Sequence, residues 1–524
     1  MTNPIPGKGR FRHTSLRTFL LGAGVPTLCC AVLATASAAC APSGDDRDPP
    51  MPSDGGVPSD GDPGTTDNVG EVSSKSTEKF DIGKDSGNDD DTEVPSDIDD
   101  TLSKKIDLLF VIDNSGSMGE EQANLARNFP NLIQQLENLQ EGGENAKVDV
   151  NILVTTTDMG HTACSGTTPE AGDPVTTGCN ERIGSFDAWG NIPAAHAACT
   201  DVCEEDVNIT GSRPFIHFKA GGNGNVEDVE PKDVNGDGVA DSAVAQALAC
   251  LGPQGIDGCG FEGHLEAMMQ AIDPNAAHNT AEKPFLRDGA MLAIAFATDE
   301  ADCSVNEGAN PELFDREGDK AFWETNPENG KPGMTSAICW NAGTECDDNG
   351  DGTYECSSRE GELRPLDRYR DYLNYLIDDK EKAVVMLGIV GIPLVTAHAD
   401  APPYQPTEGG VFDLKYRDWD DAEYPDGDIL PDDWAADPRR GADHQKYSFG
   451  IGPGCTGKDE DGEFTGQAIP PRRIRDVCES LNREADGDDE PAKIRCCMES
   501  ICDDDFSAAI NCLAGLIIAE VIPQ

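Results

Sequence analysis

Apolar positions in this chain are scarce for about seventy residues after an early hydrophobic run, and then they become dense and ordered. In KKIDLLFVID, which opens at Lys104, Leu108 to Ile112 are continuously apolar and run into an acid, the pattern of a strand covered on both faces. The following segment, Glu120 to Leu139, places Leu125, Phe129, Leu132, Ile133 and Leu136 at helical spacing, and KVDVNILVTTTD then reads as a second strand. GFEGHLEAMMQAI predicts an amphipathic helix with Phe261, Leu265, Met268 and Ile272 on one stripe. MLAIAFATDE follows as a buried strand, again closing on acid. LDRYRDYLNYLID predicts a helix, AVVMLGIVG a strand, and IRDVCESLN and DFSAAINCLAGLIIAEVI two closing helices. Alternation of this kind predicts an α/β fold with a doubly wound, mainly parallel sheet.

Three stretches break the alternation: roughly Gly160 to Asp257, Val305 to Glu362 and Thr396 to Pro471, all rich in Gly, Pro, Asp and Cys. They are expected to be disulfide-rich insertions at the edges of the sheet, with cysteines as their source of order. The amino-terminal region divides differently. Lys8, Arg10, Arg12 and Arg17 precede the mainly apolar run Phe19 to Ala34 and the small residues before Cys40, so residues 1–39 read as an export signal. The Ala38-Ala39-Cys40 junction resembles a lipoprotein processing site, with Ser37 where such sites usually carry Leu; the alternative is ordinary cleavage near Ala38. Residues 41–100 hold too little apolar surface to offset the entropy of ordering and predict an acidic, self-repelling spacer. Residues 104–524 form the folded unit.

The formal net charge of −59 excludes nucleic acid and anionic lipid as favourable partners. Of the 19 cysteines, Cys29 and Cys30 leave with the signal; acylation of Cys40 leaves sixteen, an even number, whereas ordinary cleavage strands one. Export makes disulfides the expected state of those sixteen. Cys250 with Cys259 and Cys199 with Cys203 are candidate local staples, although the connectivity is not readable from sequence.

The strongest chemical signal is Asp113-Asn114-Ser115-Gly116-Ser117, between the first strand and the first helix. Ligands of open α/β sheets bind outside the carboxyl ends of strands, and a carboxylate with two hydroxyls is a hard-oxygen set suited to Mg²⁺, Mn²⁺ or Ca²⁺. A phosphate loop is the rival reading, but no Lys follows and the glycines are too few. Together with ALACLGPQGIDGCGFEGHLEAM, AIAFATDEADCS and SICDDDFSAAI, this motif resembles the von Willebrand factor A family, specifically its bacterial lipoprotein-like members. The resemblance runs from about Lys104 to the carboxyl terminus. It implies a metal-ion-dependent adhesion site in which Ser115 and Ser117 bind the ion directly, Asp113 through water, and Asp299 from a second strand end. A carboxylate from a partner would complete the shell. The family's second loop usually offers a Thr; here Cys259 falls in or beside that place, and Glu262 or water is expected to substitute for it.

Two further acidic loops carry oxygens at alternate positions around a turn glycine: Asp233, Asn235, Asp237 and Asp241, and Asp347, Asn349, Asp351 and Glu355. They resemble abbreviated Ca²⁺ loops, lacking the later bidentate Glu. No catalytic motif is present: there is no H-E-x-x-H, nucleophile elbow or phosphate-loop lysine, and His264 alone reads as a structural or solvated helix residue. The expectation is an exported, membrane-anchored binding protein and not an enzyme. It would recognise a carboxylate-bearing protein or polysaccharide at the cell envelope, on the outer membrane or cell surface. The alternative is a structural envelope protein stabilised by Ca²⁺ and disulfides, with a degenerate adhesion site.

Overall fold

A computed structural model describes residues 104–522, apart from 142–143, 146, 165, 188–192, 221, 223, 307–311, 420–440, 459–463 and 485–491. The expectations for the export signal, Cys40 and the acidic spacer lie outside the described residues. Six strands form a mainly parallel sheet: β1 (Lys104–Ile112), β2 (Val148–Thr156), β3 (Ile216–Lys219), β4 (Met291–Ala297), β5 (Val384–Val390) and β6 (Cys496–Ser500). Their order is β6-β5-β4-β1-β2-β3, and all neighbours run parallel except β3, which is antiparallel to β2.

The continuous apolar runs follow from helices on both faces. Successive side chains of a strand point to opposite sides, so Ile106, Leu108, Phe110 and Ile112 of β1 pack on one face, and Leu109 and Val111 on the other. The first face is covered by α1 (Gly119–Glu137), α2 (Ala243–Leu251) and α6 (Ser507–Val521), which contribute Phe129, Leu248 and Leu513 among others. The second is covered by α3 (His264–Ala271), α4 (Asp367–Asp378) and α5 (Arg472–Glu479), through residues such as Met268, Leu373 and Val477.

The structure corrects several expectations. The stretch from Gly160 to Asp257 is not wholly an edge insertion, because it supplies the edge strand β3 and the core helix α2. Helix α2, AVAQALACL, is buried on every side and so has no polar stripe to betray its period. Phe261 is not on the stripe of α3, which starts at His264; it packs against His161 and Phe314, with centroids 5.5 and 4.8 Å away.

Eight disulfides pair all sixteen cysteines from Cys164 onward. Neither candidate local staple forms: Cys250 pairs with Cys203, Cys259 with Cys164, and Cys199 with Cys179. Sequence proximity misled here because rigid turns carry near neighbours apart while packing brings distant ones together. The vicinal Cys496 and Cys497 are structural. Being adjacent on β6 they face opposite sides of the sheet, and each is tied to the helix on its own side, Cys496 to Cys478 of α5 and Cys497 to Cys512 of α6.

The Phe129 ring meets Phe110 edge-on at 5.0 Å and fills the space beside Gly252, where an added methyl would overlap it. Phe129→Ala should therefore cost about 3–5 kcal/mol, read as a lower denaturant midpoint with the disulfides intact.

Candidate metal centre

Strands β1 and β4 are neighbours, with Ile112 paired to Ala297, so their carboxyl ends present Asp113 and Thr298-Asp299 side by side. The Asp113 amide continues the ladder by donating to the Ala297 carbonyl at 3.0 Å. Fully buried, Asp113 accepts the Ser115 amide on Oδ1 at 2.8 Å and the Thr298 hydroxyl on Oδ2 at 2.6 Å. The Ser115 and Ser117 hydroxyls stand 3.3 Å apart, and Ser117 hydrogen-bonds the Asp299 carboxylate. Gln122 of α1 fixes the loop from behind. Its amide donates to the carbonyls of Asp113 and Gly255, both at 2.8 Å, and accepts the amides of Gln254 and Gly255.

The second loop enters through Gly258, whose amide donates to the Asn114 carbonyl at 2.8 Å and whose Cα lies so close that any side chain would collide with the Asn114 amide group. Cys259 next to it is oxidised with Cys164 and offers no thiolate. Glu262 turns inward instead. It is wholly buried, accepts the Thr157 hydroxyl on Oε2, and leaves Oε1 without a hydrogen-bond partner. Thr157 itself extends β2 by donating its amide to the Ile112 carbonyl at 3.2 Å, which brings three strand ends together.

Electrostatics at this end of the sheet are one-sided. Burial, then the Asp113 charge, pushes Asp299 up to about 7. Glu262, Glu300 and Glu121 lie well above the usual carboxylate range, through burial first and then the charges of Asp113 for Glu262 and of Asp299 for the other two. Single oxygens of Asp299, Glu262 and Glu121 are buried without hydrogen-bond partners. An imidazole also stands close: His264 Nε2 lies 2.6 Å from the Thr298 hydroxyl and 3.8 Å from Asp113 Oδ2. Since Thr298 donates to Asp113, the His264 ring donates to Thr298, forming a relay behind the cradle. Hard oxygens, orphaned lone pairs and uncompensated negative charge fit a divalent cation of the Mg²⁺ or Ca²⁺ class.

The structure thus brings Asp113, Ser115, Ser117, Asp299 and Glu262 to one end of the sheet and removes Cys259 from the donor set. Sequence reasoning passed over Glu121, Glu300, Thr157 and Thr298. A signal existed for two of them: Glu300 directly follows Asp299, and Glu121 lies in the first turn of the helix after the serine loop. Among the described residues, two other groups bring Cys, Asp or Glu close together: Cys179, Cys203 and Asp206, and Cys497, Glu499 and Cys512. All four cysteines are in disulfides, so neither group fits a metal.

The acidic loops differ from each other. In the first, Asp233 accepts the amides of Gly236 and Gly238 at 2.8 and 2.9 Å, and Asp237 accepts that of Val239 at 2.6 Å. Asp241, nearly buried, closes the loop by accepting the Val234 amide at 3.0 Å. Gly236 and Gly238 both take left-handed φ, 79° and 87°. In the second, Asp347 and Glu355 are cross-strand partners in a hairpin closed by the Cys346–Cys356 disulfide, and Asp348, not Asp347, accepts the Gly350 amide.

No protein-family model and no curated protein matches the chain, so the chemistry of these side chains alone supports a functional reading.

A raised Asp299 pKa means that the fold favours its protonated form. The associated stability is present at low pH and is lost as pH rises from 3.8 through about 7. Metal-free protein should therefore melt at lower temperature at pH 8 than at pH 5, and Asp299→Asn should flatten that dependence, as calorimetric scans in chelator would show.

Proposed function

We propose that the chain is a von Willebrand factor A-like binding module, exported and held at the cell envelope through a lipid on Cys40, which recognises a ligand through a divalent ion at the Asp113, Ser115, Ser117 and Asp299 cradle. The observation that carries the reading is the meeting of two serine hydroxyls with Asp113 and Asp299 at the ends of adjacent strands, with one Asp299 oxygen buried and unpartnered. Supporting it are the strand order, with one antiparallel edge beside β2, and the helices on both faces, which agree with a doubly wound sheet of that family. Eight disulfides accord with export and leave no cysteine from Cys164 onward over, which sets Cys40 apart for acylation. Among the described residues no helix is long and apolar enough to cross a membrane.

In this reading Ser115 and Ser117 would hold the cation, Asp113 would act through water and Asp299 from the second strand end, and Glu262 would take the place of the family's Thr. The cation would supply a Lewis-acidic docking point for a protein or polysaccharide carboxylate. Gln122 and the His264-Thr298 relay keep the donors fixed, so little ordering is left for binding to offset. The second reading, a Ca²⁺- and disulfide-stabilised structural protein with a degenerate adhesion site, is favoured by the oxidised Cys259 and the closed Asp233 loop.

Titration calorimetry with Mg²⁺ and Ca²⁺ separates the two. The Ser115→Ala, Ser117→Ala double variant should fold normally and lose Mg²⁺ affinity by at least about tenfold, with loss of metal-dependent ligand capture. Asp237→Ala should instead lose a Ca²⁺ site and some of the thermal stability that Ca²⁺ confers. Unchanged Mg²⁺ binding in the serine variant refutes the adhesion-type cradle.

A further inference from the structure

We infer that the carboxyl end of β2 carries a second cation site, in which Asp158 anchors a hard divalent ion of the Ca²⁺ class and Glu262 and Asp257 complete its charge. Glu262 is shared with the Asp113 cradle, so the two sites are neighbours and this one rests on that reading. Asp158 and Asp257 belong to the second site alone.

Asp158 is fully buried just beyond β2, where its Oδ1 accepts the Gly160 amide at 2.8 Å and its Oδ2 meets no donor. A turn-forming aspartate ordinarily leaves its second oxygen in water, so the turn accounts for Oδ1 and not for the burial of Oδ2. Among the described residues, the buried carboxylate oxygens without a partner belong to Glu121, Asp158, Glu262 and Asp299. They fall on opposite flanks of β1, because β4 lies on one side of it and β2 on the other. Ser117 bonds Asp299, which sets the serine cradle toward β4, and Glu121 feels the Asp299 charge. Asp158 and Glu262 stand at the β2 end. The ends of β2 and β4 are two strand spacings apart, roughly 10 Å, whereas a Ca²⁺–oxygen contact is about 2.4 Å. One ion in the serine cradle therefore leaves Asp158 unserved.

The turn that carries Asp257 and Glu262 is fastened to this strand end. The Gly263 amide donates to the Thr157 carbonyl at 3.0 Å, and the Thr157 hydroxyl donates to Glu262 Oε2. Met159 lies so close to Gly263 that a side chain there would collide with it. Asp158 acts on both acids of the turn: burial first, and the Asp158 charge among those that follow, raise Glu262 and Asp257. The other charges bearing most on Glu262, Asp113 and Glu300, are negative as well. Arg182 acts on Asp257, but its guanidinium donates to the carbonyls of Thr177, Pro253 and Gln254. Asp257 is exposed and offers an ion arriving from solvent its first carboxylate. Ca²⁺ suits this set better than Mg²⁺, because donors already fixed by two turns are not free to build a strict octahedron, while Ca²⁺ accepts irregular shells completed by water.

The test is equilibrium dialysis of the full-length protein against Ca²⁺, counting bound ions. Asp158→Asn should bind one ion fewer than wild type, and the same substitution made in the Ser115→Ala, Ser117→Ala variant should again remove one. An unchanged count in either background overturns the proposal. Loss of an ion with Asp158→Asn, but none with the serine variant, leaves this site standing and refutes the serine cradle instead. Should Asp158→Asn fail to fold, wild-type crystals soaked in Mn²⁺ decide: an anomalous peak at Asp158 Oδ2, apart from the serines, supports the site, and a peak at the serines alone, or none, overturns it.

Discussion

Negative charge gathered where β1, β2 and β4 end is the constraint around which this molecule is organised. Asp113, Glu262 and Asp299 are buried, Glu121 and Glu300 lie against them, and the charged groups acting most strongly on Asp299 and Glu300 are other carboxylates. Taking a carboxylate out of water without a counter-charge is expensive, and proteins usually answer by pairing, protonation or a metal. Here hydroxyls supply part of the answer: Thr298 serves Asp113, Thr157 serves Glu262 and Ser117 serves Asp299. Yet each of Asp299 and Glu262 keeps one oxygen that no donor reaches. The arrangement is held against its own repulsion by the surrounding packing, and protons or a cation are the two ways to relieve it.

That packing depends on disulfides to an unusual degree because the insertions hold few hydrophobic residues. Two of the smaller apolar clusters are built around cystines, one on Cys179, Cys199, Cys203 and Cys250 and the other on Cys303 and Cys339. Cross-links of this sort restrict the unfolded chain more than they add contacts to the folded one. Cys164–Cys259 spans 95 residues and anchors the turn from which Glu262 reaches the cradle. Oxidation therefore withdraws the Cys259 thiol while fixing the loop that carries Glu262.

How much of this was legible in the sequence depended on whether a residue's neighbours lie near it along the chain. Strands β1, β2, β4 and β5 announced themselves because burial on both faces forces unbroken apolar runs, and α1 and α4 because one face meets water. Strands β3 and β6 are four and five residues long and carry His217, Lys219 and Glu499, so they had neither length nor pattern. Helix α2 lacked a polar face. Asp113, Ser115 and Ser117 were readable as a local motif, and Asp299 through the second strand end. Glu121, Glu300 and Thr157 matter only through contacts across the fold, which no local pattern encodes. The cystine pairs failed for the same reason.

The presence of the buried carboxylate Glu262 beside Asp113 and Asp299 bears on what the cradle can hold. A site made of neutral hydroxyls leaves a bound divalent ion most of its charge, and that residue of charge draws an acidic ligand. Glu262 adds a carboxylate to Asp113 and Asp299, with Glu300 and Glu121 nearby, so an ion bound there would be closer to neutralised. Its grip on the protein strengthens while its pull on an outside acid weakens. The proton affinity of Glu262 bears on that balance: burial and then the Asp113 charge hold its carboxyl well above the ordinary range, so a proton competes there with a cation more strongly than at an exposed glutamate. A cradle of this composition would favour retention of a cation over exchange of ligands. A partner would have to gain affinity from the surrounding loop surface as well as from the ion.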